Sequence, residues 1–152
     1  MKNTFILFAL IVMTACGKDD DNGTTDFTVQ NDAEINAYLA TNNLIAQNSG
    51  SGLYYIIETV GTGAQPQSTA NVRVAYKGYY TSGIVFDEST SNGISFNLQQ
   101  VIKGWTEGIP YFKEGGTGKL FVPAHLGYGS TNRNGIPGGS VLIFDIHLIA
   151  IN

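Results

Sequence analysis

The stretch from Val72 to Tyr80 constrains this chain more than any other part of it. Val72, Val74, Tyr76, Gly78 and Tyr80 alternate with Arg73, Ala75, Lys77 and Tyr79. A period of two sends successive side chains to opposite faces of an extended strand. Such a strand has one face to bury, so it needs a sheet around it and a second layer to cover that sheet. The rest of the chain agrees. Its 19 glycines, eight tyrosines and eight phenylalanines among 152 residues suit short strands joined by tight turns, not a helical bundle. Leu53 to Val60 reads as a strand ended by Gly61, Gly63 and Pro66, and Ile94 with Phe96 marks a brief one. Lys119 to Pro123 and Val141 to Ala150 supply the last strands, with Phe144, Ile146 and Leu148 on one face of the final strand.

Two segments carry the helical period instead. Asn31 or Asp32 is placed to cap a short helix running to about Thr41, with Ile35, Tyr38 and Leu39 on one side. It is too short to stand alone and must pack on the strands that come after it in the chain. Asn48 to Gly52 then reads as a loop. From about Gln99 to Tyr111, the positions Val101, Ile102, Trp105 and Ile109 fit the inner face of one short helix, with Pro110 at its end. The expected architecture is α+β, an antiparallel sheet with one helix laid across it, in a single compact domain.

Charge and reactive side chains narrow the function. Without the first fifteen residues the chain carries seven basic and twelve acidic side chains, a net of −5, and no Lys/Arg cluster occurs. The electrostatic footprint of a nucleic-acid binder is missing. His125 and His147 are the only histidines. His147 falls in phase with Asp145 and opposite Phe144 and Ile146, so it is expected at the surface, as is His125. No Asp/Glu pair has the spacing of a glycosidase or a metal site. Hydrolytic readings have no candidate residues, and neither metal nor cofactor is expected.

The N-terminus reads as an address. Lys2 precedes the apolar run Phe5 to Met13, which is well short of the ~20 residues that span a bilayer and has the layout of a secretory signal. Thr14-Ala15-Cys16 resembles the lipobox of bacterial lipoproteins, in which the cysteine becomes the lipid-modified first residue. An ordinary cleaved signal is the other reading. Cys16 is the sole cysteine, so no intrachain disulfide competes for it. Residues 1–15 are therefore expected to be a lipoprotein signal peptide and residues 16–30 a disordered acidic tether. The tether is either a plain spacer or a surface-export signal of the kind found in some Gram-negative lipoproteins. Residues 31–51 form the short helix and linker.

From residue 52 to 152 the chain resembles the FKBP-type peptidyl-prolyl cis–trans isomerases. Val72 to Asp87 is similar to the first signature of that family and Phe96 to Gly108 to the second. Leu120 to Gly129, then Ile136-Pro137 and Leu142 to Asp145, complete the set in the family's order. The compact spacing from Phe96 to Val101 is most similar to bacterial envelope members of the macrophage-infectivity-potentiator group, without their long dimerisation region. The resemblance implies a half-barrel of five or six antiparallel strands wrapped around one short helix, with an aromatic pocket between them. Asp87, Tyr128, Ile102, Trp105 and Phe144 are then the expected catalytic set, with Trp105 as the floor. Tyr76, Phe86, Phe96, Val101 and Ile136 would complete the substrate-binding wall. The Ile102 backbone N–H and the Tyr128 hydroxyl are the expected donors to ligand carbonyls. Outside this resemblance Trp105, Phe86 and Phe144 would read as core, Tyr128 as a loop residue and Asp87 as a turn acid.

The implied activity is rotation about Xaa-Pro bonds of exported or envelope proteins. The implied inhibitors are macrolides of the rapamycin type, and the expected location is the bacterial cell envelope, with the membrane reached through Cys16. A monomer is expected. Two departures stand out. Gly138-Gly139 follow Pro137 where the family usually has a second proline, which predicts a looser loop and motivates an alternative, an envelope chaperone or peptide-binding module with weak turnover. Ala75 stands where many members have histidine. Residues 130–134 have no secure counterpart.

Overall fold

The computed structural model describes residues 25–152. The expected signal peptide, Cys16 and most of the tether lie outside them. In chain order the elements are α1 (Thr28–Thr41), β1 (Gln47–Asn48), β2 (Tyr54–Thr59), β3 (Asn71–Tyr80), β4 (Val85–Glu88), β5 (Ile94–Asn97), α2 (Lys103–Gly108), β6 (Thr117–Val122) and β7 (Leu142–Ile151). The strands form one antiparallel sheet in the order β1-β2-β6-β7-β3-β4, with β5 also beside β3. It has seven strands against the five or six expected, since β1 and β4 pair with β2 and β3 where the sequence pattern marked no strand.

The alternation in β3 does what it predicts. Val72 and Val74 are fully buried beside half-buried Tyr76 and Tyr80, and they join Phe144, Ile146 and Leu148 of β7 in the core under α2. The other face of the sheet has its own core, formed by Tyr54, Phe121, Val141 and Ile143 with Ile35 and Leu39 of α1. Both faces of the sheet are therefore covered, one by each helix. Polar ties reinforce α1: the Tyr54 hydroxyl donates to Asp32 (2.7 Å) and the Thr81 hydroxyl to Glu34 (2.6 Å).

Two expectations need correction. The first helix begins at Thr28, so residues 28–30 are helical and not tether. Its start is held by Asp26, whose carboxylate accepts from the Thr28 N–H (2.9 Å) and hydroxyl (2.6 Å). Asn31 is thus inside the helix with its side chain fully buried, and it is no cap. The second correction concerns residues 99–111, which are not one helix. Leu98–Gln100 is a tight 3-10 turn, Val101 and Ile102 are extended, α2 follows, and Ile109–Tyr111 is another 3-10 turn around Pro110. Asn97 starts the first 3-10 turn by accepting from the Gln99 N–H (2.9 Å), and the chain turns extended at Val101. No helix among the described residues is long and apolar enough to cross a membrane.

Ile35 is fully buried between α1 and the sheet. Ile35→Ala is expected to lower the unfolding free energy by about 2–5 kcal/mol, read as a lower urea midpoint with an unchanged slope.

Candidate active site

Helix α2 sits close to the sheet because of two glycines one turn apart. A Cβ on Gly104 would lie 2.5 Å from Val122 Cγ1, and one on Gly108 would lie 2.7 Å from Leu120 Cδ2. A side chain at either place would press on Val122 or Leu120, so the helix packs closely on the side chains of β6. This brings Trp105 into the midst of rings presented by the strands. Its ring meets Tyr76 of β3 edge-on at 5.0 Å and Phe144 of β7 edge-on at 5.2 Å, and Phe96 of β5 lies tilted at 5.2 Å. Phe86 of β4 stands edge-on to Phe144 at 5.7 Å. Edge-to-face pairs of this kind add roughly 0.5–1.5 kcal/mol each beyond the area they bury.

These rings border an open cavity of about 750 Å³, within the usual range for a small-molecule site. Val101 and Ile102 reach it from the extended segment before α2. That conformation matters for Ile102. Its carbonyl accepts from the N–H groups of Trp105 and Thr106, at 2.9 and 3.2 Å, while its own N–H falls outside the helix ladder. Trp105 is almost wholly buried, and its indole N–H has no hydrogen-bond partner among the described residues.

The polar side of the cavity is built by strand register. Gly78 lies opposite Asp87 in the β3–β4 pairing, which makes Tyr76 the diagonal neighbour of Asp87 on the same face. The Tyr76 hydroxyl donates to Asp87 Oδ2 at 2.7 Å. Burial pushes the Tyr76 hydroxyl far above the ordinary tyrosine range, and the hydrogen bond to Asp87 and the charge of Asp87 push it further. Tyr128 borders the same cavity from the turn after the 3-10 segment Ala124–Leu126. Burial raises its pKa first and the Asp87 charge second, with the Arg133 guanidinium opposing both.

Of the site residues expected from sequence, Asp87, Tyr128, Ile102, Trp105, Phe144, Tyr76, Phe86, Phe96 and Val101 all border this one cavity. Ile136 does not border it. Its side chain is buried in the core behind the cavity, and its backbone exchanges two hydrogen bonds with Arg133 at 2.9 Å. Cys16 lies outside the described residues. Several rim residues went unforeseen, among them Ile94, Lys103, His125, Arg133 and Asn134. His125 is exposed as expected, yet it also reaches the rim, where its Nε2 is 2.9 Å from the Ser51 carbonyl oxygen. Arg133 and Asn134 fall in the stretch without a family counterpart, so no sequence signal pointed to them. No group of three or more His, Cys, Asp or Glu arranged to hold a metal occurs among the described residues.

Known proteins share these features. Residues 62–149 match the family model described as FKBP-type peptidyl-prolyl cis-trans isomerase. The chain is 42% identical over 130 residues to the FKBP-type peptidyl-prolyl cis-trans isomerase FkpA of Aeromonas hydrophila, covering 81% of this chain and 47% of that protein. It superposes on the crystal structure of FkpA from Escherichia coli with a TM-score of 0.73 and 36% identity, over 82% of this chain and 61% of that one. The peptidyl-prolyl cis-trans isomerase of Pseudomonas syringae superposes with a TM-score of 0.71 and 28% identity, over 86% of this chain and 99% of that one. The chain spans about half the length of the curated FkpA relatives it matches.

The tyrosines give a pH signature whose sign is fixed. Tyr76, Tyr79 and Tyr128 all keep their protons to higher pH in the fold than the ordinary value of ~10. The unfolded chain therefore loses protons first, and stability falls as pH rises through the unfolded value. Urea midpoints are expected to drop steeply from about pH 10 upward. Tyr76→Phe should make that drop shallower.

Proposed function

Since this chain belongs to the FKBP-type peptidyl-prolyl cis-trans isomerase family, we propose that its aromatic cavity receives a prolyl side chain and speeds rotation about the preceding peptide bond. The chemistry is set by the amide. A planar peptide bond owes its rotational barrier of ~18–20 kcal/mol to resonance that separates charge. Water stabilises that separated charge, and twisting the bond removes it. A site that replaces water with aromatic rings favours the twisted form over the planar one, and such a difference is what lowers a barrier. A rate gain of roughly a thousand- to a million-fold needs only ~4–8 kcal/mol.

One observation carries the proposal: Trp105, ringed by Tyr76, Phe96 and Phe144, borders the same cavity as the Tyr76–Asp87 hydrogen bond and Tyr128. In this reading the rings hold the proline and exclude water. The Ile102 N–H and the Tyr128 hydroxyl take the substrate carbonyls. Asp87, oriented by Tyr76, faces the twisting imide. Both tyrosines remain neutral donors at any physiological pH, because their pKa values are raised. Macrolides that mimic a twisted prolyl imide are the expected inhibitors. The chaperone alternative rested on a loose loop after Pro137. Two hydrogen bonds within that loop favour the isomerase reading: the Gly138 N–H donates to Asn132 and the Ser140 hydroxyl to the Pro137 carbonyl, at 2.9 and 2.7 Å.

The purified chain is expected to accelerate isomerisation of Xaa-Pro peptides and to be inhibited by a rapamycin-type macrolide. Asp87→Ala and Phe144→Ala should lower kcat/KM about ten- to a hundredfold, the factor that corresponds to losing a charge-assisted hydrogen bond or comparable contact. An inactive wild-type chain, or variants as fast as wild type, would refute the assignment.

Location is a second part of the proposal. The apolar run Phe5–Met13 followed by Thr14-Ala15-Cys16 supports export and lipid attachment at the only cysteine. The domain would then act on proline-containing polypeptides in the bacterial envelope. Cells expressing the chain with radiolabelled palmitate should label it, and Cys16→Ser should abolish the label and release the domain from membranes.

A further inference from the structure

We infer that Asn31 is a positioning residue for Tyr128, acting from a helix that lies outside the family match at residues 62–149; this rests on the isomerase reading of the cavity. Asn31 is the one polar side chain fully buried among the described residues. Its amide is used at both ends. Oδ1 accepts from the Ala124 N–H at 2.8 Å, and Nδ2 donates to the Gly139 carbonyl at 2.9 Å. The two partners fix the orientation of the amide, since one can only donate and the other only accept.

These contacts close a ring. The Ala124 carbonyl accepts from the Gly129 N–H (2.8 Å) as well as from Gly127 (3.0 Å), and the Gly129 carbonyl accepts from the Gly139 N–H (2.9 Å). Asn31, Ala124, Gly129 and Gly139 are thus linked in one circuit of hydrogen bonds, and Tyr128 is the residue before Gly129 within it. Gly127, Tyr128 and Gly129 all border the cavity. Phe27 closes the circuit from outside, because a Cβ on Gly139 would lie only 2.5 Å from its ring. The backbone at Gly139 has φ +79, which glycine adopts without strain.

Among the described residues no other group takes the place of Asn31. The Ala124 N–H and the Gly139 carbonyl have it as their partner, so a side chain without an amide leaves both buried and unpaired. The turn that carries Tyr128 would then be free to shift. Misplacement by about 1 Å at a reacting site costs up to about a hundredfold in rate. The helix therefore contributes to catalysis without touching substrate.

A double-mutant cycle tests this. Asn31→Ala is expected to lower kcat/KM about ten- to a hundredfold in the wild-type chain, and by less than about twofold when Tyr128→Phe is already present. Asn36→Ala, which removes side-chain hydrogen bonds of the same helix to Asp32 and Tyr54 away from the ring, should leave kcat/KM unchanged. Amide hydrogen exchange reads the ring without turnover. Exchange at Gly129 and Gly139 should rise in Asn31→Ala while β7 amides such as Ile146 hold. Should Asn31→Ala fail to fold, Asn31→Asp keeps the acceptor for Ala124 and removes the donor to Gly139, and the same exchange pattern is expected. Equal rate losses in both backgrounds, or unchanged exchange at Gly129 and Gly139, overturn the inference. A wild-type chain without isomerase activity overturns the isomerase reading instead, and exchange then still decides whether Asn31 holds the turn.

Discussion

The contact between α2 and β6 sets the geometry on which the rest of the molecule depends. Helices normally pack on sheets through side chains, which keeps the backbones about 10 Å apart. Here Gly104 and Gly108 bring the helix surface onto the side chains of Val122 and Leu120 at the two points where α2 crosses β6. The helix is therefore low, and Trp105 next to Gly104 meets Tyr76 and Phe144 edge-on instead of lying above them. A helix raised by one methyl group would open a gap between indole and rings, and water would enter it. In the proposed mechanism, which depends on excluding water, the two missing Cβ atoms matter as much as any ring.

Much of this was legible in the sequence because the strands keep a strict period. The alternation from Val72 to Tyr80 placed one face in the core, and Phe144, Ile146 and Leu148 followed the same rule in β7. Trp105 and Ile109 kept the helical period and are buried. Elsewhere the period misled. Val101 and Ile102 fit a helical face, yet they are extended between a 3-10 turn and α2, and apolar spacing cannot report where the backbone changes conformation. Asn31 looked like a cap since polar residues at helix starts usually are. The feature that makes it structural, a pair of partners about a hundred residues away, has no local trace. The glycines after Pro137 looked like slack for the same reason. The bonds that hold Gly139 come from α1 and from Gly129.

Helix α1 and the cavity lie on opposite faces of the sheet, yet strand β7 couples them. Leu142, Ile143 and Phe144 are buried on both sides, with Ile143 directed to the core under α1 and Phe144 to the core under α2. A strand clamped from both faces cannot tilt without opening one core or the other. Phe144 thus owes its fixed position partly to Ile35 and Leu39, which never approach the cavity. The Asn31 ring adds a second route from the same helix to the same site, by hydrogen bonds and not by packing.

The two routes suit different tasks. Aromatic rings held by packing tolerate small shifts, because dispersion and exclusion of water vary slowly with angle. A hydroxyl that donates a hydrogen bond tolerates little, since hydrogen bonds weaken steeply as their geometry departs from linear. In this molecule the apolar wall is set by interlocked cores, and the turn bearing the Tyr128 hydroxyl is set by a directional circuit through Asn31. Placing the stiffer constraint behind the polar group, on an element outside the cavity, holds that hydroxyl more narrowly than the rings around it.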